Sequence, residues 1–73
     1  MMGENAATLA DALMAEIKRV RDHVMPAYLE IGESGRPGLA LMRIELDHAV
    51  RALAEQNAEA CIRSLESLKG YTG

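Results

Sequence analysis

Apolar residues recur through the first half of the chain at alternating intervals of four and three: Leu13, Ile17, Val20, Val24, Ala27 and Ile31. That spacing is a heptad seam, with Ile17, Val24 and Ile31 at position a and Leu13, Val20 and Ala27 at d. Thr8-Leu9-Ala10-Asp11 opens it as a Ser/Thr-x-x-acid capping box, with Asn5 as a competing cap. The pattern predicts a helix over 8–31 behind a flexible tail over 1–7. Pro26 interrupts the seam, because its ring removes a backbone donor and clashes with the carbonyl four residues earlier. A bend between Asp22 and Pro26 follows. The seam keeps its phase past the proline, which predicts one kinked helix rather than two.

Gly32-Glu33-Ser34-Gly35-Arg36-Pro37-Gly38 is the strongest break in the chain and reads as a hairpin turn. Pro37 suits the first turn of the following helix, where its missing donor costs nothing. A second stripe, Leu39, Met42, Leu46, Ala49 and Leu53, repeats at three and four and predicts a helix over 38–56 packed on the first seam. Carried on in phase it meets Asn57, Ala60, Ser64 and Ser67, so the phase breaks. A new stripe of Ala58, Cys61, Leu65 and Leu68 starts after Asn57, a good cap, and stops at Gly70. The expectation is one all-α domain over 1–73: an antiparallel helical hairpin plus a short third helix over 58–69.

Composition changes the picture in one respect. Of 73 residues 49% are hydrophobic, but 12 of those are alanines, which bury little surface each. The core is thin, and a chain this short usually needs disulfides, a metal or a partner chain. A lone Cys61 forbids an internal disulfide. The net charge of −3 argues against general nucleic-acid binding, and the basic cluster Lys18, Arg19, Arg21 is followed at once by Asp22, which reads as a solvated helix face. Met1-Met2-Gly3-Glu4-Asn5 lacks the pattern of a signal peptide, no apolar run reaches membrane-spanning length, and the single thiol suits a cytoplasmic protein with no membrane partner.

Candidate chemistry is sparse. Glu45-Leu46-Asp47-His48 matches the Glu-x-x-His pairing of carboxylate-bridged bundles. At about 100° per residue, however, Glu45 points about 80° and His48 about 140° away from the stripe of its helix, so His48 reads as a solvent or interface residue. Glu16, His23 and Glu30 share heptad position g, but two turns, roughly 10 Å, separate each from the next, too far for one ion. Cys61 lies on an apolar stripe and reads as a small buried hydrophobe. No nucleophile with a base, no metal set and no cofactor box assembles, so no enzyme activity and no cofactor are expected. Arg36 beside the glycine turn, with Arg43 and Arg51 further along the helix, could hold a nucleotide or another anion.

The surplus is apolar. Met25 and Leu29 lie outside the first seam with Tyr28 beside it, and Leu41 and Ile44 lie about 120° to 180° from the second stripe. All five fall toward the glycine turn, the end a short third helix leaves uncovered. A contiguous apolar patch marks a partner surface. Self-association into a homodimer or higher oligomer, and binding of another protein through Met25, Tyr28, Leu29, Leu41 and Ile44, are therefore expected.

Val24-Met25-Pro26-Ala27-Tyr28-Leu29-Glu30-Ile31-Gly32 before a glycine turn, an Arg-rich second helix and a terminal Ser67-Leu68-Lys69-Gly70-Tyr71 give a layout across residues 17–71. It resembles small helical-hairpin inhibitor proteins of temperate Pseudomonas-type phages, a class that includes an anti-quorum-sensing protein. The resemblance implies a dimeric inhibitor of a host regulatory or defence protein, and it assigns no residue a role. Two readings stand: an interaction module, and an anion-binding protein built on Arg36, Arg43 and Arg51.

Overall fold

The computed structural model describes residues 2–72, with side chains over 9–72. Among them every regular element is helical. Helix α1 (Met2–Arg19) passes through a π turn (Val20–Val24) into α2 (Met25–Ile31); a 3-10 turn (Gly32–Gly35) leads to α3 (Arg36–Ala54), and α4 (Ala58–Lys69) follows. The first helix starts at Met2 rather than Thr8, so Thr8 is an interior position; the side chains of the expected Asn5 and Thr8 caps lie outside the described residues. No helix is long and apolar enough to cross a membrane among the residues described.

The expected bend at Pro26 takes the form of a wide turn. Pro26 has no amide to give the carbonyl of Asp22, so an α ladder cannot run through this point. Just ahead of it the register loosens, and the Met25 amide donates to the Val20 carbonyl five residues back. Pro26 then occupies the first turn of α2. The extra residue in the turn changes the phase of everything beyond it. Leu13, Val20 and Val24 are buried as the seam requires, but the next residues packed on the core are Met25 and Tyr28. Ile31, expected on the seam, is 59% exposed. The seam therefore does not stay in phase across the proline, and the wide turn is the reason.

Helix α4 lies against both α1 and α3, and α2 lies against α3. Leu13, Val20 and Val24 meet Met42, Ala49 and Ala52 of α3 and Cys61 and Leu68 of α4 in one cluster. Leu39 is also buried, while Leu46, Leu53 and Leu65 pack half-buried around the core. Ala58, assigned to the third stripe, is exposed; Ser64, off it by type, is buried. Asn57 caps α4 by accepting from the Ala60 amide at 3.1 Å. Gln56, at φ 56°, makes the reversal into α4 in a left-handed conformation. The body measures 46 × 17 × 16 Å.

Candidate functional site

Three long-range features position the surface. The first is a tie between α1 and the end of α4. The Arg19 guanidinium donates to the Leu68 carbonyl at 3.0 Å and to Glu16 Oε1 at 2.9 Å. The Leu68 carbonyl also accepts from the Tyr71 amide at 3.1 Å, so Arg19 adds a second, charged donor at the negative end of α4, where a cation is favourable. Arg19 is thus not part of a solvated face, as its neighbours Lys18 and Arg21 are.

The second feature is the closure at the glycine turn. A Cβ at Gly35 would overlap the Tyr28 carbonyl oxygen, and one at Gly38 would stand 2.6 Å from Tyr28 Cε2. Both glycines let α2 and α3 approach across the turn. The tyrosine ring fills the space and packs half-buried on the core. Gly32, at φ 86°, ends α2 in a conformation that side chains rarely adopt.

The third is the tail after α4. Tyr71 packs on the core, and its hydroxyl is held above the ordinary tyrosine range, first by burial and then by the neighbouring Glu45 carboxylate, with Tyr28 adding a smaller push. Glu45 Oε1 is itself buried and has no hydrogen-bond partner among the described residues.

These elements split the expected five-residue patch. Leu29 is 61% exposed, Leu41 48% and Ile44 53%. Met25 and Tyr28 are half-buried against the core, so they do not lie outside the internal packing. The wide turn accounts for this, because it rotates both toward α3. The exposed three fall in different grooves. Leu29 lines one with Gly32, Glu33, Arg36, Ala40 and Arg43. Leu41 and Ile44 line another between α3 and α4, with Glu45, His48, Arg63 and Ser67. A third groove continues the second one along α3 and α4, sharing His48, Arg63 and Ser64 and adding Arg51 and Glu55.

The arginines divide in the same way. Arg36 and Arg43 share the groove at the glycine turn, about 650 Å³ in volume. Arg51 lies in the α3–α4 groove and reaches Asp47 at 3.4 Å. Among the described residues the other ion pairs are Arg19–Glu16 and Arg21–Asp22, so Arg36, Arg43 and Arg63 carry unpaired charge. His48 is exposed. Among the described residues no three His, Cys, Asp or Glu side chains gather as metal ligands would. Cys61 is buried with its thiol free.

The exposure of Ile31, and the groove of mixed charge beside α4 with Arg63 in it, were not singled out from sequence. The signal for the second existed: Leu41, Ile44, His48, Arg51 and Glu55 are spaced three and four, a stripe of their own on α3. Compared with protein-family models, curated proteins and solved structures, the chain matches none.

Proposed function

We propose that this chain is a non-enzymatic interaction module: a helical hairpin closed by α4, pairing with a second copy and using its remaining apolar surface to hold another protein in the cytoplasm. One observation carries the reading. Met14, Leu29, Ile31, Leu41, Ile44, Val50 and Ile62 are all between 47% and 61% exposed, while the largest fully buried side chains are only Leu13, Met42, Leu68, Val20 and Val24. More large apolar side chains face out than the core fully encloses. Such surface is unfavourable in water and is put to use by burial against a partner. The layout similar to phage-encoded inhibitors supports the same reading, with a host regulatory or defence protein as the target.

The experiment compares proteins retained by the wild type with those retained by Leu29→Asp/Ile31→Asp and by Leu41→Asp/Ile44→Asp, with thermal melts alongside. A protein retained by the wild type and lost with one pair, at unchanged melting temperature, supports the reading. Identical retention by all three overturns it.

A second reading rests on Arg36 and Arg43, which share one groove with Glu33 and make no ion pair among the described residues. It predicts a thermal shift with a nucleotide or phosphate that is lost in Arg36→Ala and in Arg43→Ala. Arg51 is too far along α3 to belong to that site.

A further inference from the structure

The groove at the glycine turn holds charge that the chain itself leaves unpaired. Arg36 and Arg43 are exposed, line it seven residues apart, and make no ion pair among the described residues. Two helical turns place them about 10 Å apart along α3. Leu39 lies between them, and Leu29, 61% exposed, borders the groove from α2. The occupant that fits carries two carboxylates at that spacing with an apolar side chain between them.

The outer face of α4 has this order. Glu59 and Glu66 are exposed, seven residues apart and without an ion pair among the described residues, and Ile62 between them is 47% exposed. Cys61, Ser64 and Leu68, the buried residues of α4, lie on its other side.

We propose that α4 of a second copy occupies the groove, antiparallel to α3, with Glu66 at Arg36 and Glu59 at Arg43. The inference rests on the reading of the chain as a self-pairing interaction module and names the two surfaces that meet. Ile62 stands to Glu59 and Glu66 as Leu39 stands to Arg36 and Arg43, three residues after the first and four before the second. In an antiparallel pair such equal offsets fall on the same side and within about 1.5 Å of one height, so Ile62 enters the groove where Leu29 and Leu39 line it. A parallel pair puts it on the wrong side. Carried one turn further, the antiparallel register brings Lys69, three residues past Glu66, to the end of the groove where Glu33 lies, three residues before Arg36. Three opposite pairs thus share one register. Exposed ion pairs contribute little each, so the charges select the register while burial of Ile62 and Leu29 drives association.

The contact is head-to-tail. Leu41, His48 and Ala52, which face α4 within the chain, lie roughly 130° to 170° around α3 from the line of Arg36 and Arg43. Groove and outer face of α4 are therefore separate surfaces that look different ways, and pairing them builds a ring or a chain.

Sedimentation velocity on the full chain over a concentration series tests this. The wild type is expected to associate, and Arg36→Glu/Arg43→Glu and Glu59→Arg/Glu66→Arg are each expected to raise the Kd at least about tenfold, because groove and α4 then repel. Mixed one to one, the two variants complement each other and recover the wild-type association, which an unfolding effect would not allow. Leu29→Asp and Ile62→Asp each weaken self-association; their mixture keeps one sound groove and one sound α4 and is expected to stop at a heterodimer. A wild type that stays monomeric at about 100 µM overturns the inference, and a foreign protein or a phosphate bound through Arg36 and Arg43 of that monomer reassigns the groove. Charge variants that associate no better mixed than apart overturn it too, as does association that none of these substitutions changes, which leaves self-pairing to another face. Retention of a foreign protein through Leu41 and Ile44 is read on a different surface, so failure of this contact and failure of the interaction reading are separately visible.

Discussion

The two ends of this molecule are built on different terms. Where α1, α4 and the later part of α3 run together, three helices enclose Leu13, Val20, Ala49, Cys61 and Leu68. At the other end α2 has no buried residue at all, and two of its seven positions, Leu29 and Ile31, are large apolar side chains facing out. A third helix makes the difference. Two helices in contact each cover only one stripe of the other, whereas a third closes the wedge between them. The glycine-turn end compensates by close approach, with Gly35 and Gly38 admitting the Tyr28 backbone and ring. One end is held by burial, the other by fit.

The sharpest way to break this contrast is to remove the same atoms from each end. Leu13→Ala and Leu68→Ala, both at 0% exposure, should each cost about 2 to 5 kcal/mol, because they lose transfer free energy and leave a cavity among three helices. Leu29→Ala should change stability by no more than about 0.5 kcal/mol. Chemical denaturation followed by circular dichroism measures all three. Equal losses at Leu13 and Leu29 would mean that the turn end is enclosed in solution by something outside the chain.

Fit is tested by adding atoms instead. Gly35→Ala puts a methyl group where the Tyr28 carbonyl oxygen sits, and a backbone carbonyl cannot swing aside as a side-chain tip can. We expect a loss of about 1 to 3 kcal/mol, the usual range for forcing extra volume into a closed contact. Hydrogen exchange should show it concentrated in α2 and the first turn of α3, since few buried groups hold that end in place. Protection lost evenly across α1 and α4 would contradict the division into two ends.

The difference between the ends also explains what could be seen in the sequence. The all-helical class, the break at Gly32-Glu33-Ser34-Gly35 and the cap at Asn57 were legible because each is local chemistry: periodicity, backbone permissiveness and a side-chain acceptor. The inner stripe of α3 was legible for the same reason. What failed lies beyond Pro26. A seam counted at fixed spacing assumes a constant number of residues per turn, and the π turn at Val20–Val24 breaks that assumption. Ile31 was thereby put inside and Tyr28 outside, the reverse of the structure. Arg19 was missed differently: its partner carbonyl is 49 residues away, and no local pattern announces it. Ser64 is buried because α4 lies close against α3, a fact of packing rather than of residue type. Of the proposed surface, Leu29, Leu41 and Ile44 were found by surplus hydrophobicity; Arg63 was not, since its place depends on how α4 folds back.

The Arg19 tie sharpens the description of the three-helix end, where burial is not the whole account. Arg19→Ala removes the donor to Leu68 and the pair with Glu16, both only partly shielded from solvent, so we expect about 1 kcal/mol. Lys18→Ala, next to it and exposed, should be silent within about 0.5 kcal/mol. If the two melt alike, the long-range hydrogen bond contributes nothing.

The smallest expected effect concerns the seam between the two ends, where Tyr71 meets Glu45 and Tyr28. Burial and the Glu45 carboxylate both penalise the tyrosinate, so the hydroxyl is harder to ionise folded than unfolded. A group whose pKa is raised by folding contributes stability that is fully present below its unfolded pKa and is lost as pH rises through the folded one. For a tyrosine that window opens near pH 10. Stability should therefore be flat on this account through neutral pH and fall in the alkaline range. Tyr71→Phe keeps the ring on the core but has no proton to lose, so its stability should decline less steeply above pH 10 than the wild type's. Its neutral-pH stability should stay within about 0.5 kcal/mol of the wild type's, since the ring keeps its place on the core. Thermal melts of both proteins from pH 7 to 11 decide the matter. Parallel curves would show that Tyr71 ionises as freely in the folded chain as in the unfolded one, and that the tail after Gly70 does not seat its hydroxyl against Glu45.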